Sequence, residues 1–104
     1  MTSQIKYQRV THLGQKIREL REKQNLLLRQ VAAQLEADTA LISKIETGER
    51  KASKQQVLKI AKFLNVPEDE LLTLWLADKI ESAIIEEPKV AYQAMKIANK
   101  KLNP

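Results

Sequence analysis

Apolar residues recur at intervals of three and four positions along most of the chain, which is the spacing of an amphipathic helix. The alternation of apolar and polar residues that marks a half-buried strand is nowhere sustained. The pattern therefore predicts an all-α fold. The six predicted helices cover residues 13–24, 28–35, 39–47, 53–64, 67–85 and 89–102. In the last of these, Val90, Ala94, Ile97 and Ala98 are predicted to lie on one side.

Short polar residues mark where two of these helices begin and where one ends. Asp38 stands at the N-cap position of the third helix, where a carboxylate accepts a free backbone N–H. Gly48 follows the same helix as a left-handed C-terminal residue. Ser53 and Gln56 have the spacing of a capping box, so the fourth helix is predicted to begin there.

The second and third predicted helices are short, and only residues 36–38 separate them. Helices joined by such a short turn cross at a steep angle, which is the geometry of a helix-turn-helix. Ile42 and Ile45 are predicted to anchor the third helix from behind, so that its first half lies on a convex edge. The residues expected to be exposed on this edge are Thr39, Ala40, Ser43 and Lys44.

The net charge of the chain is +5, and the positive excess is confined to its first half. Residues 1–56 contain 11 Lys and Arg against 6 Asp and Glu, whereas residues 57–104 contain 7 of each kind. Localised basic charge is expected where side chains displace counterions from a phosphate backbone. A solvated basic surface is the alternative, and the predicted helix-turn-helix favours nucleic acid over it.

The composition argues against several other classes of site. The chain has no cysteine and a single histidine, His12, so we expect no disulfide framework and no metal cluster. It also lacks a glycine-rich phosphate loop, and we expect neither an enzyme nor a cofactor. No secretion signal or membrane span is predicted, and a reducing compartment such as the cytoplasm suits this composition.

Over residues 13–72 the sequence resembles the phage-repressor, or Xre/Cro-type, family of helix-turn-helix regulators. The segment ISKIETGER at residues 42–50 resembles the end of that family's recognition helix, and VLKIAKFLNV at residues 57–66 resembles its fourth helix. The resemblance implies a five-helix lambda-repressor-like domain that binds double-stranded DNA and regulates transcription. We expect an arm over residues 1–12 before this domain and a helical extension over residues 73–104 after it.

The same resemblance implies roles for individual side chains. Polar and small residues on the recognition helix would contact base edges, with lysine donating to guanine and alanine packing against a thymine methyl group. These residues are Thr39, Ala40, Ser43 and Lys44. Residues in and after the following loop would hold phosphates, which fixes register without specifying sequence. Those residues are Thr47, Arg50, Lys51 and Lys54.

Two further roles concern the helices behind the recognition helix. Arg21 would pair with Glu46 and brace the recognition helix, whereas a solvated Glu46 is the alternative. At the start of the second helix the family carries a polar pair with a DNA-contacting glutamine, but this chain has Leu27 and Leu28, which would join the core or meet a partner. Arg29 remains a candidate phosphate contact, although successive helix positions point about 100° apart.

The apolar residues after the domain have two possible destinations. They pack within the chain, or they form the interface of a two-fold dimer. We favour a homodimer, because two half-sites one helical turn apart supply DNA-facing surface that one small module lacks. The predicted interface residues are Leu72, Trp75, Leu76, Ile80 and Ile84.

Two narrower functions and one terminal segment stay open. The C-terminal helices would bind a toxin if the chain is an antitoxin, and short stand-alone relatives also resemble controllers of restriction-modification systems. At the other end, Lys6, Arg9 and His12 form either a basic arm that contacts DNA or a tail without a role.

Overall fold

The structure is a computed structural model that describes residues 10–103. Within this range the chain forms six helices and no strand. The helices are α1 (His12–Lys23), α2 (Leu28–Gln34), α3 (Thr39–Thr47), α4 (Lys54–Leu64), α5 (Glu68–Glu86) and α6 (Pro88–Leu102). The predicted all-α fold, a helix-turn-helix domain with a C-terminal helical extension, is confirmed. Lys6 and Arg9 of the predicted arm lie outside the described residues.

Local hydrogen bonds define the ends of α3 and α4 at the predicted residues. The Asp38 carboxylate accepts from the Leu41 N–H at 3.0 Å. Ser53 and Gln56 form both halves of the capping box, at 3.1 and 2.9 Å. Gly48 has a φ of 86°, in the left-handed region that glycine adopts without strain. Because these contacts satisfy backbone groups that lack partners within the helix, α3 begins and ends at defined positions.

The hydrophobic core lies between α1 to α4 and the first part of α5. Helix α3 packs against α1 and α2, and α5 packs against α1 and α4. The large residues with no exposed surface are Ile17, Val31, Ile42, Val57, Ile60, Leu64 and Leu71. Each such side chain contributes about 1.5–3 kcal/mol when fully buried, so the inner face of α3 rests on a closed core.

Helix α1 crosses α3 at Gly14, where the two backbones are in direct contact. A Cβ atom at this position would lie 2.6 Å from the carbonyl oxygen of Glu46 and closer still to that of Ile45. Only a residue without a side chain allows this approach. Gly14 therefore determines how closely α1 supports the end of α3, a role that the sequence pattern alone did not indicate.

Helix α5 passes from the core into solvent along its length. Leu71 is buried and Trp75 is half-buried, whereas Leu76 and Ile80 are 53% and 46% exposed. The predicted boundary between residues 72 and 73 falls inside this helix, which continues without interruption. None of the helices in the described range combines the length and the apolar content that a bilayer crossing requires.

Helix α6 packs against α5, and none of its residues is buried. Together the two helices form an apolar groove, the α5–α6 groove, lined by Ile80, Ala83, Ile84, Glu87, Val90, Ala91, Ala94, Met95 and Ala98. Val90, Ala94 and Ala98 of the predicted apolar side of α6 line this groove, whereas Ile97, which is 69% exposed, does not. At about 100° per residue, Ile97 points about 90° away from the centre of the face formed by Ala91, Ala94 and Ala98.

Candidate nucleic-acid interface

The outer face of α3 carries the four residues predicted to be there. Thr39, Ala40 and Lys44 are exposed, and Ser43 is half-buried. At about 100° per residue the four positions fall within an arc of about 140° on one side of the helix. An α-helix with its side chains is about 10–12 Å across, and the DNA major groove is about 12 Å wide, so this face fits the groove.

A shallow depression joins the outer face of α3 to the loop that follows it. Ala40, Lys44 and Arg50 line this depression, together with Ala37, Asp38 and Leu41. The loop is held against the helix by a hydrogen bond of 3.2 Å from the Arg50 N–H to the Lys44 carbonyl oxygen. The structure thus brings a predicted phosphate contact, Arg50, next to two predicted base contacts.

The remaining predicted phosphate contacts are exposed, but they are not all gathered at this depression. Arg29, Lys51 and Lys54 are exposed, and none belongs to an ion pair within the part of the chain that the structure describes. Lys54 is the first residue of α4, and Arg29 lies on the first turn of α2. Cations with no carboxylate partner are available to neutralise phosphate.

Thr47 differs from the other predicted phosphate contacts because its hydroxyl already has acceptors. It lies 3.2 Å from the Lys44 carbonyl oxygen and 3.3 Å from a carboxylate oxygen of Glu49. A hydroxyl has one proton, so a bond to phosphate requires Thr47 to give up these contacts. The involvement of Glu49 was not predicted, because a carboxylate two residues away has no distinctive sequence signal.

Arg21 and Glu46 form the ion pair that the resemblance implies. The Arg21 Nε and Nη2 atoms donate to the two Glu46 oxygens at 2.7 and 3.2 Å, and Nη1 donates to the Leu26 carbonyl oxygen at 2.9 Å. The side chains are only 12% and 5% exposed. The bond to Glu46 raises the pKa of the Arg21 guanidinium, which therefore stays charged. The pair connects α1, the end of α3 and the loop before α2.

The two leucines that depart from the family pattern have different environments. Leu28 packs against the core, whereas Leu27 is exposed. The Gln30 side-chain oxygen accepts from the Leu27 N–H at 2.7 Å. Gln30 therefore completes the first turn of α2, and its side-chain oxygen already accepts one hydrogen bond.

The start of α1 is tied to α5 by contacts between residues that are distant in sequence. The two Asp78 oxygens accept from the backbone N–H groups of His12 and Leu13 at 2.8 and 3.1 Å. The His12 ring lies 2.7 Å from a Glu81 oxygen, and this hydrogen bond raises the pKa of His12 above its ordinary value. Sequence reasoning missed both contacts, because each joins residues more than sixty positions apart.

The same cluster is the group closest to a metal site among the described residues. One ligand atom each from His12, Asp78 and Glu81 lie within 4.8 Å of one another, and this donor set suits a divalent cation. However, both Asp78 oxygens accept backbone N–H groups, and His12 pairs with Glu81. Hydrogen bonds and one ion pair account for the cluster, so we assign no metal to it.

A sequence family described as a helix-turn-helix domain matches residues 12–74. This region spans α1 to α4 and the first part of α5, and it contains all the residues predicted to contact bases or phosphates on and around α3. No curated protein and no solved structure matches the chain.

Proposed function

The chain belongs to the helix-turn-helix domain family, and on this premise we propose that it is a sequence-specific, double-stranded DNA-binding regulator of transcription. We propose that it represses transcription, including that of its own gene, and acts in the cytoplasm without enzymatic activity. The observation that carries the proposal is the outer face of α3. This face is mostly polar and mostly exposed, while the opposite side of the helix is buried on the core.

In this proposal α3 enters the major groove and supplies the base contacts. The Lys44 ammonium donates to guanine O6 or N7, and Ala40 packs against a thymine methyl group. Thr39 and Ser43 supply hydroxyls that both donate and accept hydrogen bonds. The ion pair between Arg21 and Glu46 supports this function, because it holds the end of α3 before DNA is bound and lowers the entropic cost of binding.

In the same proposal, residues outside the recognition face of α3 supply the phosphate contacts. Arg50 and Lys51 lie in the loop after α3, Lys54 begins α4, and Arg29 lies on α2. These exposed cations would release counterions from the DNA backbone and make binding strongly dependent on salt. They orient α3 on the duplex but do not themselves distinguish one base pair from another.

We further propose that the protein binds DNA as a homodimer. Support comes from apolar surface on the extension, where Leu76 and Ile80 are exposed beside the half-buried Ile84. Leu72 and Trp75 are half-buried against their own chain, so only part of each side chain is free for an interface. The α5–α6 groove also supports a second candidate, an antitoxin, because its apolar lining would accept a helix of another protein.

The decisive experiment is selection of bound duplexes from a random oligonucleotide pool at moderate salt. A palindromic motif is the expected result, because it reports sequence specificity and two-fold symmetry together.

Lys44→Ala should then lower specific affinity by about 1–3 kcal/mol and relax one base position. Lys51→Ala should weaken all sequences alike and flatten the salt dependence. Lys59→Ala, an exposed lysine on α4, is the matched control, and absence of preference for any duplex would refute the proposal.

A further inference from the structure

A second concave site lies between the loop after α3, the start of α1 and the middle of α5. This cavity has a volume of about 220 Å³. Its apolar lining residues are Leu13, Ile45, Ala52 and Trp75. Its polar lining includes Thr11, Arg50, Lys51, Asp78, Lys79 and Ser82. We call it the loop cavity, because two of the exposed cations of the DNA-contacting loop form part of its wall.

The size and the apolar wall of the loop cavity suit one small ring. An apolar cavity of about 150 Å³ in a protein core admits benzene, so the loop cavity has room for a ring with a small substituent. Leu13, Ile45 and Ala52 are each less than a tenth exposed, which means that core packing holds them in place. The indole N–H of Trp75 donates to the Ala52 carbonyl oxygen at 2.8 Å, and this bond joins two walls of the cavity.

The charges around the loop cavity favour an anion. Asp78 is its one acidic lining residue, and both oxygens of that carboxylate already accept backbone N–H groups. Three cations line the same space, namely Arg50, Lys51 and Lys79. The Lys79 ammonium lies 3.7 Å from the centre of the Trp75 ring, so a positive charge is held directly beside the apolar wall.

We propose that the loop cavity binds a small aromatic carboxylate, with its ring against Trp75 and its carboxylate paired with Lys79 and with Arg50 or Lys51. Binding would also regulate the DNA contact, a step that rests on the function proposed above. A carboxylate held by Arg50 or Lys51 competes with phosphate for the same cation. The ligand therefore weakens DNA binding, and by linkage DNA weakens ligand binding by the same factor.

The first test uses benzoate as the probe and the purified full chain without DNA. Trp75 is the only tryptophan, so its fluorescence reports directly on the cavity. We expect saturable binding in the millimolar range, the affinity of a ligand with few atoms, and at least about tenfold weaker binding of benzamide and acetate, which lack the charge or the ring. Absence of saturable benzoate binding, or equal binding of all three probes, would overturn the proposal.

Variants locate the probe within the loop cavity. Lys79→Met should remove the preference for benzoate over benzamide, and Ser82→Leu should weaken both by filling space. Lys62→Met, which alters an exposed lysine on α4, is the matched control and should bind benzoate normally. Calorimetric titration provides the readout for Lys79→Met, because that change also removes the cation beside Trp75. Unchanged binding in both cavity variants would place the probe elsewhere and overturn the assignment.

The second test measures DNA affinity with benzoate, using sodium acetate at equal concentration to match ionic strength. We expect an affinity loss of about tenfold for each displaced phosphate contact near 0.1 M salt, with a smaller loss in Lys79→Met. Benzoate binding without any loss of DNA affinity would overturn the regulatory step. If the protein bound no DNA even without benzoate, the proposed function would fail, while the fluorescence titration would still decide whether the cavity binds the probe.

Discussion

The core around α1 to α4 and the hairpin of α5 and α6 use apolar side chains in opposite ways. In the first region Ile17, Ile42 and Ile60 have no exposed surface. In the second, Leu76 and Ile97 are mostly exposed, and α6 has no buried residue at all. Both regions are helical, so secondary structure does not distinguish them. They differ in how far their apolar side chains are buried.

This difference indicates that the two regions depend on different partners. Helix α3 is held by contacts within its own chain, so its outer face is arranged without DNA. Helix α6 has 15 residues, close to the length at which an isolated helix is only marginally stable in water. We therefore expect the hairpin to gain stability from a second copy that covers its apolar side.

The largest loss of folding stability should follow from Glu46→Ala in the core around α1 to α4. Arg21 would lose both bonds to its carboxylate partner while remaining mostly buried, and breaking such a pair costs about 3 kcal/mol. Glu22→Ala is the matched control, because the ion pair between Arg18 and Glu22 is exposed and contributes only about 0.3–0.5 kcal/mol. Urea unfolding gives the free energy of unfolding of both variants. Similar losses in the two would contradict the importance of the buried pair.

A somewhat smaller loss is expected from Gly14→Ala. The added methyl group would meet the carbonyl oxygens of Ile45 and Glu46, and forcing such overpacking typically costs about 2 kcal/mol. Gln15→Ala alters the neighbouring exposed residue and should leave stability nearly unchanged. Thermal unfolding of the two variants checks this, and a normal midpoint for Gly14→Ala would show that α1 and α3 separate without cost.

Substitutions in the hairpin of α5 and α6 should change dimer formation rather than folding. Met95→Glu places a charge in the α5–α6 groove and should weaken a homodimer by about tenfold or more, because a buried apolar side chain is lost from the interface. Tyr92→Glu alters an exposed residue of α6 outside the groove and serves as the control. Sedimentation equilibrium gives the association constant, and circular dichroism should show helix content unchanged in both. Equal weakening by the two variants would argue against the groove as the interface.

The smallest effect concerns His12, which joins the two regions. Because Glu81 raises the pKa of His12 above 6.5, the protonated ring stabilises the fold below that pH. The contribution disappears as pH rises through the raised pKa. The melting temperature of the wild type should therefore exceed that of His12→Gln at about pH 5.5, and the two melting temperatures should converge at about pH 9. Both His12 and Glu81 are about half exposed, so solvent screening keeps the difference small. If the difference in melting temperature grew as pH rose, the protonated His12 ring would not be the form that stabilises the fold.

Local chemistry explains which features could be predicted from the sequence. Asp38, Gly48 and the capping box at Ser53 act through backbone groups within a few residues, so both ends of α3 and the start of α4 were predictable. The outer face of α3 followed from helical periodicity. The contacts of Gly14 and Asp78 join distant parts of the chain, and no local pattern indicates them. Helical periodicity placed Ile97 on one side of α6 with Val90, Ala94 and Ala98, but it could not show that α6 presents mainly its alanines to α5.

The cap that Asp78 places on α1 bears on how this protein can be divided. The region matched to the family ends at residue 74, yet the acceptor for the first N–H groups of α1 lies one turn beyond it. A fragment truncated at that limit would lose the carboxylate that accepts from the His12 and Leu13 N–H groups, and it would lack the indole that bonds to Ala52. We therefore expect the smallest autonomous folding unit to be longer than the segment delimited by similarity, and excised domains should extend past Asp78.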